Sequence, residues 1–254
     1  MNGSVAIVTG ASRGIGFSIA RELAKRGSKL CITGRDPEAL ERAGSELENL
    51  TDVVAVPADV SNEDDVIRTV HLAERLGPVT AVVNNAAARG PTLPVHEMAT
   101  SEFADVLTTN LLGPFLMAKH ALGPMIERRR GAIVNIGSIA GVEAYPLRSP
   151  YCASKWALVG LTRTLAVEYG PYGIRVNLVA PGPTSGEGAD GVIAKRAEAI
   201  GRDVEELKAE YAQEIPLRRF VTPDETAAAV AFLVSDSASG ITGQSFCVSG
   251  GIEV

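Results

Sequence analysis

Two residues in the second half of the sequence, Tyr151 and Lys155, have the types and the spacing needed for proton transfer. Residues four apart lie on one face of a helix, and Ser149 and Pro150 have the character of its N-cap and first residue. The pKa of a free tyrosine is about 10, and a nearby ammonium group and a helix N-terminus both favour the phenolate. We therefore expect a lowered pKa at Tyr151, whose phenol could give a proton to a reduced carbonyl and remove it in the reverse direction.

Two other polar residues could join this pair. Ser138 follows an apolar strand pattern and precedes Tyr151 by 13 residues, whereas Asn110 lies beside apolar helical positions. Taken alone, either residue could be an ordinary buried polar group whose hydrogen bonds are satisfied within the protein. Their meaning therefore depends on the elements and motifs around them.

Short aliphatic runs alternate with longer helical patterns along most of the chain. The runs are nearly continuous in apolar and β-branched residues, as expected for parallel strands that are covered on both faces. The alternation predicts an α/β fold with a doubly wound, Rossmann-like parallel sheet of about seven strands, formed by residues 1–254 as a single domain. The predicted strands are residues 5–8, 29–33, 53–56, 79–83, 132–136, 175–179 and 244–248, and two of the predicted helices are residues 17–26 and 66–76.

The first predicted strand runs into a glycine-rich turn and then a helix. Its glycines are spaced G-x-x-x-G-x-G, which differs from the general dinucleotide fingerprint G-x-G-x-x-G. Glycines allow a tight turn and close approach of phosphate oxygens, and the helix N-terminus offers unpaired N–H groups. The turn therefore predicts a nucleotide site rather than a purely structural turn, with Gly10, Ser12, Arg13, Gly14, Ile15 and Gly16 as its residues.

Arg13 and Arg35 bear on which nucleotide binds. A NAD site places an acidic side chain on the adenosine ribose, whereas the 2′-phosphate of NADP favours arginine. Asp36 is explained without a ligand, because it suits the N-cap of a helix that begins at Pro37. The two arginines have no comparable structural role, and together they can bind one phosphate. We therefore favour NADP(H) over NAD(H), and NAD(H) bound through Asp36 is the alternative.

Asp59, after the third predicted strand, is a further candidate contact to the nucleotide. The next helix already has Ser61 as an N-cap, with Asp64 three residues later. Asp59 would then be free to accept a hydrogen bond from the adenine amino group, unless it serves only in a turn. At the end of the fourth predicted strand, the same cleft would be lined by Asn84, Asn85 and Ala86.

The composition changes between residues 181 and 216. A glycine-rich turn over residues 185–191 leads into a charged helical segment over residues 192–215. The segment follows the sixth strand at the end where open α/β sheets bind ligands. We therefore expect a substrate loop or lid at residues 183–215, with a solvated surface helix as the alternative.

Composition excludes several other classes of function. The net charge is −6 and no basic stripe is present, so we expect no nucleic-acid partner. The three cysteines and three histidines show no metal-ligand spacing, and an odd number of dispersed cysteines favours reduced thiols, so we expect no metal site. No signal-peptide pattern or long apolar run occurs, so we expect no membrane association and a cytoplasmic location.

Together these motifs closely resemble the short-chain dehydrogenase/reductase family, in the compact single-domain branch that includes 3-oxoacyl-(acyl-carrier-protein) reductase-like members. The resemblance covers residues 4–251. The matching pieces are residues 9–16, Asp59 with Val60, residues 84–86, Asn110, Ser138, Tyr151 with Lys155, and Pro181 with Gly182.

The resemblance implies a role for each matched residue. Tyr151 would be the general acid/base, and Ser138 would orient the substrate carbonyl. Lys155 would lower the tyrosine pKa and hold the nicotinamide ribose, while Asn110 would support a water molecule linked to Lys155. The cofactor-binding set then consists of residues 10, 12–16, 35 and 59, together with Val60, Asn85, Ala86, Tyr151, Lys155, Pro181, Gly182 and Thr184.

The sequence departs from the family pattern in two places. Ala87 stands where the family usually has glycine, which is a small packing change. Gly186 stands where many members have a threonine that contacts the nicotinamide amide. That contact is therefore in doubt, and Thr184 is the candidate to replace it.

The implied function is that of an NADP(H)-dependent oxidoreductase that moves hydride between nicotinamide and a carbonyl or secondary alcohol. The alternatives are a NAD-dependent alcohol dehydrogenase, a nucleotide-binding regulator without turnover, and an epimerase or dehydratase that keeps its nicotinamide bound.

A small-molecule substrate would be a 3-oxoacyl thioester, a small ketone or diketone, or a sugar-like or cyclic alcohol, in that order. Family members are commonly tetramers, so we expect a homo-oligomer, a tetramer or a dimer. The expected substrate contacts are Ser138, Glu143, Tyr145 and Tyr151, with Ala88, Ile139 and Leu147 nearby, and Lys195, Arg196 and Arg202 are the basic residues that could hold a phosphopantetheine arm.

Overall fold

The computed structural model describes residues 3–252, so the terminal residues of the expected 1–254 domain lie outside the described part. In this range the chain forms one sheet of seven parallel strands in the order β3-β2-β1-β4-β5-β6-β7. The predicted α/β fold is confirmed. The strands are β1 (Val5–Val8), β2 (Lys29–Gly34), β3 (Val53–Pro57), β4 (Val79–Asn84), β5 (Gly131–Ile136), β6 (Ile174–Pro181) and β7 (Ser245–Val248).

Helices cover both faces of this sheet and bury its aliphatic side chains. One core cluster lies between the sheet and α1, α2 and α9, and the other lies between the sheet and α3, α5 and α6. Because both faces are covered, the central strands carry apolar side chains at nearly every position. The helices are α1 (Gly14–Lys25), α2 (Pro37–Glu48), α3 (Glu63–Leu76), α4 (Thr100–Leu107), α5 (Gly113–Arg128), α6 (Ser149–Tyr169), α7 (Glu187–Ile200), α8 (Val204–Glu214) and α9 (Pro223–Val234).

The strand order reverses direction at β1, which pairs with β2 on one side and β4 on the other. Connections from the two neighbouring halves of the sheet leave to opposite faces at such a point, and a crevice opens at the carboxyl ends of the strands. The loops that follow β1, β2, β4 and β5 carry most of the residues singled out in the sequence. The fold therefore places them along one edge of the sheet.

Two of the predicted helix caps are wrong. Asn62, not Ser61, caps α3, because its side-chain oxygen accepts the N–H of Asp65 at 3.1 Å. Helix α6 begins at Ser149 itself, and Arg148 is its N-cap residue. The Arg148 carbonyl accepts the N–H of Cys152 at 2.9 Å and so closes the first turn.

Residues 183–215 form two helices rather than a turn and one helix. Helix α7 already begins within the glycine-rich stretch expected to be a turn, and it ends before residue 201. Asp203 then starts α8 by accepting the N–H groups of Glu205 and Glu206 at 2.9 and 3.0 Å. The helices α7 and α8 share a small core of their own, which includes Ile193, Ala197 and Leu207.

The charged and polar positions of the helices break up their apolar faces. Within residues 3–252, no helix is both long enough and apolar enough to cross a membrane.

Candidate active site

Hydrogen bonds of Thr9 and Asn85 hold the turn between β1 and α1 in place. The Asn85 amide donates to the carbonyl oxygens of Thr9 and Gly10 at 2.9 and 3.0 Å, and the Thr9 hydroxyl accepts the Asn85 N–H at 3.0 Å. A Cβ atom on Gly16 would lie 2.3 Å from the Gly10 carbonyl oxygen, so only glycine allows this approach of helix to turn. The Asn-Asn-Ala motif therefore shapes the glycine-rich turn.

The mouth of the turn has the geometry of an anion site. Gly14 adopts a φ of +58°, and a Cβ atom there would meet nothing within 4 Å, so the backbone faces open space. Arg13 is the N-cap residue of α1 and makes no side-chain cap bond, which leaves the first N–H groups of the helix available. These features fit a bound pyrophosphate.

The β1–α1 turn and the end of β2 place the two expected phosphate-binding arginines at one cleft. Arg13 and Arg35 are exposed, and both line it. Asp36 caps α2 as predicted, with its carboxylate accepting the Ala39 N–H at 3.1 Å. The structural explanation of Asp36 is confirmed, and its carboxylate oxygen points toward the helix backbone.

Asp59 is less free than expected. One carboxylate oxygen accepts both the N–H and the hydroxyl of Ser61, at 2.9 and 2.6 Å. Burial acts to raise the pKa of Asp59, but the hydrogen bonds from Ser61 and the charge of Arg35 outweigh it and hold that pKa below its ordinary value. Asp59 therefore organises its own turn and remains ionised at the cleft, where Val60 lies beside it.

Tyr151, Ser138 and Lys155 meet at the carboxyl end of β5. The short helical turn Ile139–Gly141 packs against α6 and brings Ser138 within hydrogen-bond reach of the Tyr151 phenol. Lys155 is only 3% exposed, and its ammonium donates to the Ile136 carbonyl oxygen at 2.7 Å. The Lys155 nitrogen lies 5.6 Å from the centroid of the Tyr151 ring.

The expected lowering of the Tyr151 pKa is wrong for the protein alone. Burial raises the pKa of Tyr151, and the hydrogen bond with Ser138 and the charges of Arg148 and Arg89 oppose that rise only in part. Burial also lowers the pKa of Lys155, to about 8. Both groups are desolvated, and desolvation favours their uncharged forms.

Asn110 lies in a π-helical turn between α4 and α5, where it braces two elements. Its amide oxygen accepts the Ala88 N–H at 2.7 Å, and its amide nitrogen donates to the Ala88 carbonyl and the Ser154 hydroxyl at 2.9 and 3.0 Å. Ser154 in turn donates to the Tyr151 carbonyl at 2.7 Å. Asn110 thus ties the loop after β4 to the helix that carries Tyr151.

The end of β6 and the loop after it complete one wall of the cleft with Pro181, Gly182 and Thr184. The Thr184 hydroxyl donates to the Gly182 carbonyl at 3.0 Å, and residue 184 pairs with Val221 in an isolated parallel bridge. Thr184 is therefore fixed at the wall, whereas Gly186 provides no side chain there.

All of these loops surround one cleft of about 1130 Å³, which is larger than most pockets for a single small ligand. Glu143 and Leu147 do not line it. Glu143 follows the turn 139–141, and its charge adds to the effect of burial in raising the pKa of Tyr145. Leu147 takes a left-handed backbone conformation with φ of +66°. Among the expected site residues, those that line the cleft are Gly10, Ser12, Arg13, Gly14, Ile15, Gly16, Arg35, Asp59, Val60, Asn85, Ala86, Ala88, Ser138, Ile139, Tyr145, Tyr151, Lys155, Pro181, Gly182, Thr184 and Arg196.

Sequence reasoning missed Arg89 and Arg148, which also line the cleft, and gave Arg196 only a possible role in binding a carrier arm. Arg148 precedes Tyr151 by three residues, so helical spacing could have drawn attention to it. In the described part of the chain, no cluster of three or more metal-ligating side chains is found.

Comparison with known proteins identifies the family. A family model described as Enoyl-(Acyl carrier protein) reductase matches residues 10–253. The 3-oxoacyl-(acyl-carrier-protein) reductase FabG of Rickettsia prowazekii (strain Madrid E) is 37% identical over 253 residues, which cover 99% of this chain and 98% of that protein. The chain belongs to the short-chain dehydrogenase/reductase family.

Two solved structures show the same fold over nearly the whole length of this short-chain dehydrogenase/reductase. An NAD⁺-bound xylitol dehydrogenase matches with a TM-score of 0.95 and 33% identity, covering 98% of this chain and 99% of that one. An actinorhodin polyketide ketoreductase with NADPH matches with a TM-score of 0.93 and 35% identity, covering 99% of both chains. The chain is therefore an enzyme of the NAD(P)-dependent class that acts on alcohol and carbonyl groups.

Proposed function

We propose that this enzyme reduces a carbonyl compound to a secondary alcohol with NADPH, and runs the reverse reaction with NADP⁺, using Tyr151 as the general acid/base. The observation that carries the proposal is the Tyr151 phenol itself. It belongs to a half-buried side chain that lines the cleft beside Ser138, with the Lys155 ammonium nitrogen 5.6 Å from the centroid of its ring. A phenol in that position can exchange a proton with a substrate oxygen that Ser138 also holds.

The glycine-rich turn and α1 would hold the cofactor pyrophosphate, and Asp59, Asn85 and Ala86 would flank the adenosine and ribose part. When bound, the nicotinamide supplies the hydride that the carbonyl carbon gains in reduction, or takes it back in oxidation. Tyr151 gives the proton that the substrate oxygen gains, or removes it in the reverse direction. Ser138 orients that oxygen. Lys155 and Thr184 both line the cleft and would hold the nicotinamide part.

Asn110 is a positioning residue in this proposal. Its amide joins Ala88 to Ser154, and Ser154 is bonded to the Tyr151 carbonyl. The water molecule expected between Asn110 and Lys155 remains a prediction. High-resolution crystallography of the enzyme with its cofactor would test it directly.

The decisive test of catalysis is Tyr151→Phe. Removal of a general acid/base costs about a hundredfold to ten-thousandfold in rate, so ketone reduction should fall by at least that lower value. Nucleotide binding should be retained, because the phosphate-binding turn is elsewhere in the cleft. Equal turnover in Tyr151→Phe would refute the assignment. Nucleotide binding without turnover in the wild type would point to a regulator, and isomerisation without net oxidation of free NADPH would point to an epimerase or dehydratase.

The preference for NADP(H) rests on Arg13 and Arg35. Both are exposed at the cleft. Asp36 lines the same cleft, but one of its carboxylate oxygens accepts the Ala39 N–H as the helix cap. Hydrogen bonds to charged groups contribute about 1.5–3 kcal/mol, so Arg35→Ala should weaken NADPH binding about tenfold to a hundredfold and leave NADH binding unchanged. Arg42→Ala, an exposed arginine on α2, is the matched control.

Fluorescence titration with both nucleotides would measure the preference. Tighter binding of NADH than NADPH to the wild type would refute it and favour the alternative NAD-dependent alcohol dehydrogenase. The ketoreductase similar to this chain holds NADPH and the xylitol dehydrogenase holds NAD⁺, so likeness to solved structures does not decide between them.

Residues 183–215 act as a lid in this proposal, on a chain that folds as one domain. Side chains of α7 and α8, among them Val192 and Tyr211, form part of the lining of the cleft. Their core is separate from the two large clusters around the sheet, so the helix pair can move as a unit. Bound cofactor and substrate should slow proteolytic cleavage in this segment. Unchanged cleavage would argue for a fixed surface helix pair.

We also propose a homo-oligomer. Trp156 and Val167 on α6, and Phe115 on α5, expose 52%, 79% and 44% of their surfaces. Large exposed apolar side chains on neighbouring helices favour burial against another copy of the chain. Light scattering after size exclusion would measure the assembly, and a monomer at micromolar concentration would refute this proposal.

A further inference from the structure

Three arginines gather in the cleft near Tyr151. Arg89 comes from the loop after β4, Arg148 from the N-terminus of α6, and Arg196 from α7. We call these three residues the arginine cluster. The proposed chemistry at Tyr151 does not require three positive charges beside it.

Arg148 is the most unusual member. It is only 6% exposed, and its guanidinium carbon lies 5.1 Å from the centroid of the Tyr151 ring. One terminal nitrogen donates to the Arg89 carbonyl at 2.9 Å, while Nε is buried with no hydrogen-bond partner among the described residues. A buried donor without a partner is costly, and more so when the group is charged.

Arg89 is held against the start of α7. A Cβ atom added to Gly188 would lie 2.2 Å from a terminal nitrogen of Arg89, so the glycine makes room for the guanidinium. Arg196 has a buried Nε without a partner among the described residues, and one of its terminal nitrogens donates to the Pro146 carbonyl oxygen at 3.5 Å. Near Arg196, burial and the carboxylates of Glu143 and Glu214 raise the pKa of Tyr145, and the charge of Arg196 opposes them.

The charges in the cluster are not balanced within the site. Among the described side chains, none of the three arginines forms an ion pair with a carboxylate. Burial lowers the pKa of Arg148, Tyr151 and Cys152 oppose this shift in part, and the positive charges of Arg89 and Arg196 add to it. Like charges packed around a buried guanidinium oppose one another, and an oxyanion from outside would satisfy all of them.

We propose that the substrate is a small ketone or secondary alcohol that carries an oxyanion, a carboxylate in the first instance, and that Arg148 and Arg89 bind that group. Arg196 adds attraction at the outer rim. The inference rests on the proposed function and specifies its substrate class. Because Arg148 lies against the Tyr151 ring, the anion is held only a few bonds from the reacting carbonyl. A small keto acid fits this distance better than a long acyl chain on a carrier.

Paired ligands of equal shape test the proposal. The probes are keto acids of increasing chain length, from acetoacetate and levulinate upwards, each compared with its primary amide. Calorimetry on the wild-type enzyme saturated with NADP⁺ measures binding without turnover, since a ketone is not reduced by the oxidised nucleotide. At least one acid should bind about tenfold more tightly than its amide. If no acid in the series binds more tightly than its amide, the proposal is overturned.

Variants separate recognition of the anion from a purely structural role. Arg148→Met and Arg89→Met should each weaken binding of the preferred acid about tenfold to a hundredfold, and binding of its amide by much less. Arg163→Met, an exposed arginine on α6, is the control for loss of one positive charge. Parallel losses for acid and amide would show that the arginines only support the fold, and would overturn the proposal.

Gly188→Ala provides a second test of anion binding, in a variant that keeps every charged side chain. The added methyl group crowds the Arg89 guanidinium and should reduce affinity for the acid more than for the amide, even if Arg148→Met fails to fold. An unchanged ratio of the two affinities would count against Arg89. Failure of the proposed function looks different: the acid would bind through the arginines and yet not be reduced by NADPH. Reduction of ketones and amides with no preference for acids would leave the function standing and remove the anion site.

Discussion

Replacement of Lys155 by methionine tests the electrostatics of the site without any assumption about substrate. The ammonium is buried and makes one hydrogen bond, to the Ile136 carbonyl. Burial lowers its pKa from 10.5 to about 8. A group whose pKa differs between the native and unfolded states makes stability depend on pH.

The sign follows from proton binding. Between about pH 8 and about pH 10.5 the unfolded lysine holds more protons than the native one, so the free energy of unfolding rises with pH. Below about pH 8 both forms are protonated and the dependence levels off. With these two pKa values, Lys155 should add roughly 1 kcal/mol between pH 7 and 9, and roughly 2 to 3 kcal/mol by pH 10.

Urea unfolding of the cofactor-free wild type and of Lys155→Met, at several pH values and one protein concentration, would measure this effect. The comparison between the two proteins is needed because other groups titrate as well. Burial raises the pKa of Cys31 to about 12, and this acts in the opposite sense, with stability lost as the pH rises above about 9. Cys31 is present in both proteins, so its contribution cancels in the difference.

We expect the free energy of unfolding of Lys155→Met to be higher than that of the wild type at pH 7, and this difference to shrink by roughly 1 kcal/mol at pH 9. Lys25→Met, at an exposed position on α1, is the control, and its difference from the wild type should vary little with pH. A difference for Lys155→Met that stays constant from pH 7 to 9 would refute the reasoning. It would mean that water or a counter-ion solvates the ammonium in the native state.

Further predictions follow from individual contacts. Gly16→Ala places a methyl group against the Gly10 carbonyl, and should lower the free energy of unfolding by about 2 kcal/mol in urea titrations; a loss below half of that would contradict the close approach. Asp36→Ala should cost about 1 kcal/mol through loss of the helix cap without changing the preference between NADPH and NADH, and a changed preference would show that Asp36 contacts the ribose. Asn85→Asp turns a donor to two carbonyl oxygens into a repelling carboxylate, and should weaken nucleotide binding at least about tenfold in fluorescence titrations; equal affinity would show that the turn needs no brace. Arg148→Met should extend reduction of a neutral ketone to higher pH, because loss of the cation raises the Tyr151 pKa and keeps the phenol protonated; an unmoved pH profile would show that the charge does not reach the phenol.

The sheet was predictable because its strands are short, apolar and β-branched, and the structure confirms each of them within two residues at either end. The cap at Asp36 was also readable, since a proline follows it directly. The break between α7 and α8 could have been read from Gly201 and Asp203, a helix-ending and a helix-starting residue in close sequence. Local patterns of this kind depend on neighbours in sequence, and sequence therefore determines them.

The direction of the Tyr151 pKa could not be predicted in the same way. Sequence shows that a lysine lies one helical turn away, but it does not show that both groups are desolvated or that the lysine is bonded to the Ile136 carbonyl. The contacts of Asn110 to Ala88 and Ser154 likewise depend on the packing of loops that are distant in sequence. Solvent exposure and long-range contacts are products of the whole fold.

Burial and the charge of Arg148 shift the pKa of Tyr151 in opposite directions. Arg148 can therefore affect the reaction in two ways, through this pKa and through contact with the substrate. Burial keeps the phenol protonated, which suits a proton donor in carbonyl reduction, whereas the charge of Arg148 supports the phenolate that is left after the proton has gone. This electrostatic effect acts on every substrate alike. Contact between the guanidinium and a substrate oxyanion acts only on substrates that carry one. An acid and its amide therefore distinguish the two effects, because the shared loss measures the influence on Tyr151 and the extra loss for the acid measures recognition of the anion.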